Sequence, residues 1–397
     1  MEQSTYRRYS WQSIGAAWLA LFCFIGFGVT FVALRGPLAA EMRWTEGELS
    51  MAFAIMMASC ALSALLGGVA VDAYGARPAF AAAAVMGFLG CLLGTLTTSA
   101  SAYAMAFGIP AGVATGLMWV GAAVSVRDWL RGRQFGAAWG IAFLGAPVAQ
   151  LFLSSLLETM GWATGMRVFG FLVLALMGAA AALAHKAPPR EEAEADWTFR
   201  ETVMSYPFWG LVIALFASVV AEFVIWAQVV NFALVAFVSL FTIPLAGVAS
   251  DYLVKRFGRE PEARKAMLVI GAGFGILACV LFLFTDDRLA FTIASAVAFA
   301  LYWAVEVGGA IGYAASVFGR RALGRIWGLV ALLCVGIAPG VGAFFGTYMP
   351  DASWDISTRV LYALGGFVTS ALAAATLPVV APEHRVKRTM ESAAAMR

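Results

Sequence analysis

The sequence predicts an all-α membrane protein of twelve transmembrane helices in two six-helix bundles related by an internal repeat. Three observations carry this reading. Hydrophobic residues make up 62% of the 397 and charged residues only 12%, where soluble domains carry about 25% charged. From Pro78 to Val126 there is no charged side chain, a run whose natural solvent is a bilayer. Short signatures of the first half also return in the second. Gly68-Val-Ala-Val-Asp72 recurs as Gly247-Val-Ala-Ser-Asp251, and Gly136-Ala-Ala-Trp139-Gly140 as Gly324-Arg-Ile-Trp327-Gly328.

Cutting the apolar runs at their turn and charge clusters yields spans near the ~20 residues that cross the hydrocarbon core. The first six are expected over 13–36, 47–71, 79–98, 102–126, 135–157 and 164–185, the last six over 206–228, 232–253, 267–285, 289–316, 326–347 and 358–380. The first apolar run is longer than the core of a signal peptide, so it reads as a retained span. The hydrophilic stretch 186–203, with Pro188-Pro189-Arg190-Glu191-Glu192, is the one linker in the pattern. It divides the chain into an N-terminal bundle over 1–185 and a C-terminal bundle over 204–397 that ends in a short basic tail. Around Asn231 the connection between spans seven and eight is shorter than its first-half counterpart.

Charge placement gives the orientation. All but Arg35, Arg43, Arg167, Arg288 and Arg359 of the 26 basic residues fall on one side of this topology, which the positive-inside rule makes the cytoplasm. Both termini then face the cytoplasm, and the expected location is the bacterial inner membrane. The five cysteines lie inside apolar runs without close pairs or metal-ligand spacing and read as small hydrophobes. His185 and His384 sit at cytoplasmic edges, so a proton carrier within the membrane has to be a carboxylate. No metal, cofactor, phosphate-binding Gly-Lys loop, nucleic-acid partner or enzymatic motif is expected. The expected partners are a small-molecule substrate, protons and the lipid bilayer, with the chain working as a monomer.

Between spans two and three stands Gly68-Val-Ala-Val-Asp72-Ala-Tyr-Gly75-Ala-Arg77-Pro78. Gly68 admits a close helix approach, Gly75 supplies the positive φ of a tight reversal, and Pro78 suits a first helical turn. Asp72 and Arg77 flank the turn, where each can meet a helix end or an opposite charge. This pattern resembles the corresponding loop of major facilitator superfamily transporters. Arg127-Asp128-Trp129-Leu130-Arg131-Gly132-Arg133, the second-half loop Phe318 to Gly328, and Gly36-Pro37-Leu38 resemble its bacterial monocarboxylate and oxalate/formate antiporter branch. The resemblance implies a gate in which Gly68, Asp72, Gly75, Arg77, Arg127 and Asp128 close the cytoplasmic side, with Asp251, Arg320 and Arg325 as the second-half counterpart. It also implies that spans one, four, seven and ten line a central cavity. Spans eight and eleven lack the internal Lys or Arg that members of that branch use to hold a carboxylate. Arg35, at the outer end of span one, is the basic candidate for that task, and the alternative for it is snorkelling to the interface.

Ionisable groups deep in a membrane cost about 2.5–3.5 kcal/mol on insertion scales and call for a functional hypothesis. Glu222 in span seven and Glu306 in span ten qualify. Each has a tryptophan on its own helical face, Trp226 and Trp303. A partly desolvated carboxylate that takes up and releases a proton as the cavity changes access is the minimal device for proton coupling, and the bland reading of each is a protonated, hydrogen-bonded structural residue. Trp119, Tyr302, Gln228 and Asn231 are further candidates to shape a pocket. Gly145-Ala-Pro147 and Gly336-Ile-Ala-Pro339 are bend points in spans five and eleven.

The expectation is a secondary active transporter working by alternating access, in first place a proton-coupled symporter of a small, monocarboxylate-like organic anion. A proton-coupled antiporter exporting a cationic or amphipathic compound is the alternative. A non-transporting membrane sensor or scaffold is the alternative of another class.

Overall fold

A backbone surrounded by lipid has no water to satisfy its N–H and C=O groups, so each apolar run closes its hydrogen bonds within a helix. The computed structural model describes residues 3–130, 132–157, 159–188, 196–229, 232–284, 289–343 and 356–379. Twelve helices among them are long and apolar enough to span a membrane. We label them α1 (Gln3–Met42), α2 (Glu46–Tyr74), α3 (Ala76–Gly94), α4 (Ala100–Trp129), α5 (Phe135–Leu157), α6 (Trp162–Leu183), α7 (Tyr206–Val229), α8 (Phe232–Phe257), α9 (Glu260–Phe282), α10 (Leu289–Phe318), α11 (Leu323–Gly342) and α12 (Ile356–Thr376).

Several helices outrun the expected spans because a helix does not stop where lipid does. α1 continues through Arg7 and Arg8 at one end and Pro37 at the other. It stops only at Arg43, which takes a positive φ of 57°. Thr45 then caps α2 and exchanges hydrogen bonds with Glu48, a capping box written in the sequence as Thr-x-x-Glu. α9 starts at Glu260 rather than near 267, since Glu260, Pro261 and Glu262 all favour a helix N-terminus. The reversal between α2 and α3 turns on Gly75 at φ 81°, the left-handed conformation that glycine adopts at least cost. α5 is broken at Leu144, beside Gly145 and Pro147. α11 passes through a π-helical stretch, Leu332–Ile337, just before Pro339, and such wide turns often mark functional positions.

Within the first six helices α4 is the central post, packed against α1, α2 and α3, while within the last six α10 packs against α8 and α9 and α12 bridges α7 and α9. Small residues set the closest approaches: a methyl group at Gly112 or Gly116 of α4 would run into the backbone of α2. The two sets of six meet mainly along α2 against α11 and α5 against α8, two seams related by the repeat. The stretch between the sets is not unstructured throughout. Thr198 and Glu201 form a second capping box that starts a short helical turn, Phe199–Val203. Ahead of it Asp196 accepts hydrogen bonds from the N–H groups of Arg320 and Arg321, and the Trp197 N–H donates to the Phe318 carbonyl.

Candidate functional site

A cavity of about 530 Å³ lies between the two sets of helices. Its walls are mainly Phe, Ile, Val, Met and Ala from α1, α2, α5, α7, α10 and α11. Most lining positions on α1, α2, α5, α7 and α11 fall in the halves remote from the termini, while Glu306, Val307 and Ala310 lie in the other half of α10, so the cavity reaches from mid-helix toward the face opposite the chain ends. Glu222 and Glu306 are both in its wall. No Lys or Arg is among the described lining residues.

The two carboxyl groups are part of one hydrogen-bonded group built on two helices. Ser218 and Glu222 stand four apart on α7, and Tyr302 and Glu306 four apart on α10, so each pair shares a helical face. The helices run in opposite senses, and the pairs cross-link as two rungs. Ser218 Oγ bonds to Glu306 Oε1, and the Tyr302 hydroxyl donates to Glu222 Oε2 at 3.2 Å. Ser218 has a second contact, to the Leu215 carbonyl at 2.9 Å. All four side chains are buried.

Aromatic rings stand beside the acids and on their terminal side. Trp119 of α4 stacks on Trp327 of α11, with centroids 6.3 Å apart and planes at 21°. On the repeat-related side Trp303 of α10 packs edge-on against Phe143 of α5 at 5.3 Å, and Phe143 stacks on Trp139. The indole N–H groups of Trp119 and Trp327 have no hydrogen-bond partner among the described residues.

Beneath that layer two latches join the halves. Asp72 accepts hydrogen bonds from the N–H groups of Gly324 at 2.6 Å and Arg325 at 3.0 Å, at the start of α11, and from the Arg325 guanidinium at 3.1 Å. Asp251 accepts from the N–H groups of Gly136 and Ala137, both at 2.8 Å, at the start of α5. An anion at a helix N-terminus is favoured by the unpaired N–H groups and the helix dipole together. The glycines make the approach possible: a methyl at Gly68 would overlap the Gly324 carbonyl, and one at Gly247 the Gly136 carbonyl. The second latch has more behind it. The buried Arg264 reaches Asp251 at 3.3 Å, the Gly132 carbonyl at 2.8 Å and Glu260 at 3.4 Å. Glu260 in turn takes a two-pronged bond from Arg127 at 2.6 and 3.0 Å.

The residues singled out in the sequence thus separate. Asp72, Asp251, Arg127, Asp128, Arg320 and Arg325 all take part in contacts between the halves, the Asp128 carboxylate accepting from Arg320 Nε at 2.8 Å. The pairing differs from the expected one: partners come from opposite halves, and Arg127 joins the Asp251 latch through Glu260. Arg77 is exposed and makes no ion pair among the described residues. Its charge bears instead on His185, whose imidazole is held below its usual range by burial first and then by Arg77 and Arg8. Trp119 and Trp303 line the cavity, Tyr302 stands behind its wall, and Arg35 is half-buried on α1 away from the described lining. Trp226 and Gln228 lie on α7 with side chains outside the described set, and Asn231 is outside the described residues. Sequence reasoning passed over Ser218, Glu260 and Arg264. Each left a signal in i, i+4 spacing, Ser218 to Glu222 and Glu260 to Arg264.

Comparison with known proteins agrees with this architecture. The profile of the Major Facilitator Superfamily matches residues 16–343. A proton:xylose symporter, XylE, bound to 6-bromo-6-deoxy-D-glucose is 14% identical and superposes with a TM-score of 0.70 over 96% of this chain and 98% of its own. A bacterial homologue of the iron transporter ferroportin in an outward-facing state is 13% identical, with a TM-score of 0.70 over 93% and 99%. The transporter FucP in an outward conformation is 13% identical, with a TM-score of 0.64 over 91% and 99%. No curated protein matches the sequence. Twelve spans, two repeat-related seams and a family profile over most of the length have one conclusion: the chain belongs to the major facilitator superfamily.

Proposed function

We propose that the protein is a proton-coupled secondary transporter that exchanges protons for a small cationic or amphipathic compound. The observation that carries the reading is the cavity itself: two carboxyl groups in an apolar, indole-floored wall without a described Lys or Arg. A carboxylate and an aromatic face both attract an organic cation, and the same carboxylate holds a proton when the cation is absent. Alternating access follows from the latches. They close the terminal side, which the charge distribution makes cytoplasmic, while the cavity reaches from mid-helix toward the other face. Asp72, Asp251, Gly68, Gly75, Arg127, Asp128, Arg320 and Arg325 then belong to the cytoplasmic closure. The chain works as a monomer in the bacterial inner membrane, in two bundles over 1–185 and 204–397 joined by 186–203.

Symport of a small organic anion is the second reading, favoured by the indole N–H groups of Trp119 and Trp327, neutral donors without a partner among the described residues. The two readings differ in sign. Proteoliposomes loaded with a pH dye are given a panel of organic cations and carboxylates, against protein-free liposomes and Glu306→Gln. Lumenal alkalinisation with a cation, lost in the variant, supports exchange; acidification with a carboxylate selects symport. Silence across both panels removes the proton-coupled reading.

A further inference from the structure

On the side of the chain ends, the rim of the first six helices carries a cluster of positive charge outside both the latches and the cavity. Three pieces of chain meet there: the start of α1, the turn between α2 and α3, and the end of α6. Tyr9 stacks on the His185 imidazole with centroids 4.2 Å apart and planes at 29°, which brings the Arg8 end of α1 to the residues that follow α6. Lys186 packs on the turn, where a methyl on Gly75 would stand 3.2 Å from its Cβ. Its ammonium donates to the Ala73 carbonyl at 2.6 Å. That carbonyl is among the last of α2, which have no partner in their own helix, and the ammonium bound to it keeps two hydrogens to give. Arg77 follows two residues after Gly75, in the first turn of α3. Arg8 and Arg77 both act on His185 by their charge, and no carboxylate is among the groups that do. Arg8, Arg77 and Lys186 are exposed, and none of the three has a carboxylate partner among the described residues.

This rim faces lipid and not the cleft between the halves. α6 packs against α1 and α3, and neither α3 nor α6 contributes a described residue to the cavity wall. Val85 on α3 and Phe171 on α6 are exposed, and on a membrane span such side chains meet acyl chains. Trp11 and Tyr74, also exposed, stand near the charges, at the level where aromatic rings anchor a span among headgroups. We propose that Arg8, Arg77, His185 and Lys186 form a site for the phosphate of an anionic glycerophospholipid, whose acyl chains run along α3 and α6. The leaflet is the one on the terminal side, which the charge distribution makes cytoplasmic. Arginine and lysine donors meet phosphate oxygens in charge-assisted hydrogen bonds, and basic residues at a membrane edge attract anionic lipid. A free phosphate offers the same oxygens without the chains, so the lipid-facing position selects the lipid. The site is independent of what the central cavity carries. It also contains its own reporter: a phosphate beside His185 favours the imidazolium and offsets the repulsion from Arg8 and Arg77.

The test uses the full chain with labelled histidines in nanodiscs of phosphatidylcholine that contain a rising share of phosphatidylglycerol, with His185 and His384 titrated by NMR. His384, in the basic tail, follows the general surface potential. The His185 midpoint should rise by about 1 pH unit or more, the shift that an opposite charge at close range produces. It should level off while His384 is still moving with the share of anionic lipid. Two histidines that move in parallel without levelling off would show diffuse attraction and overturn the site. Arg8→Gln and Lys186→Gln should each reduce the lipid-dependent rise, and an undiminished rise in both overturns the assignment of these residues. If neither variant inserts, the levelling-off in the unmodified protein decides the question by itself. Inorganic phosphate added to discs of phosphatidylcholine alone should leave His185 in place. A rise with phosphate equal to the rise with phosphatidylglycerol overturns the lipid as the ligand.

Discussion

Asp72 of α2 caps the first turn of α11 through the Gly324 N–H at 2.6 Å, so a side chain from one half of the molecule completes a helix of the other. Asp72→Asn keeps the shape and gives up the charge. Hydrogen bonds to a charged group exceed neutral ones by about 1–2 kcal/mol, and the closed arrangement should lose that much relative to the open one. Cysteines placed on the terminal side of the cavity should react with a membrane-impermeant thiol reagent several-fold faster in the variant. Equal rates would show that Asp72 does not hold the closure.

Gly68 and Gly247 make the same prediction from opposite halves. A single methyl at either meets a carbonyl oxygen that a helix backbone fixes in place, and overpacking of this kind costs about 1–3 kcal/mol. Gly68→Ala and Gly247→Ala should therefore both favour the arrangement in which α2 leaves α11 and α8 leaves α5. The labelling assay checks it, and a phenotype in only one of the two would break the equivalence.

The two latches should differ in what their arginines contribute. Arg325 is partly exposed, and exposed pairs are worth about 0–1 kcal/mol. Arg264 is fully buried between Asp251 and Glu260, and removing one partner of a buried pair costs about 3–5 kcal/mol. Melting of the purified protein should show a large drop for Arg264→Gln and a small one for Arg325→Gln.

His185 gives a prediction on pH. Burial and the nearby positive charges of Arg77 and Arg8 oppose the imidazolium form, so His185 should remain neutral to lower pH than an ordinary histidine. The sequence has only one other histidine, His384, which makes the two resonances separable by NMR. Arg77→Ala should move the His185 midpoint upward while His384 does not move.

Most of the fold was legible because lipid imposes it. A run free of charge from Pro78 to Val126, Thr-x-x-Glu at Thr45 and the glycine at position 75 each had one physical solution. The recurrence of Gly-x-x-x-Asp points to a repeat from the sequence itself. The partners of those motifs were not legible. Asp72 meets Gly324 and Arg325 across more than half the chain length, and no local rule links positions so far apart. The cavity acids were recognisable by their cost in a membrane, yet that Tyr302 faces Glu222 rather than the cavity depends on the crossing of α7 and α10. α1 and α9 run on past the expected spans because charge marks the edge of the bilayer and not the end of a helix.

The reciprocal capping has the geometry of an isologous dimer written into one polypeptide. In a true homodimer every interface residue appears twice, and a substitution strikes both contacts at once. Here Asp72 and Asp251 occupy equivalent places, but each has its own codon. The consequence is independent tuning of two contacts that began as copies. The chain of Arg264, Glu260 and Arg127 behind Asp251, against Arg325 alone among the described residues beside Asp72, is that freedom put to use.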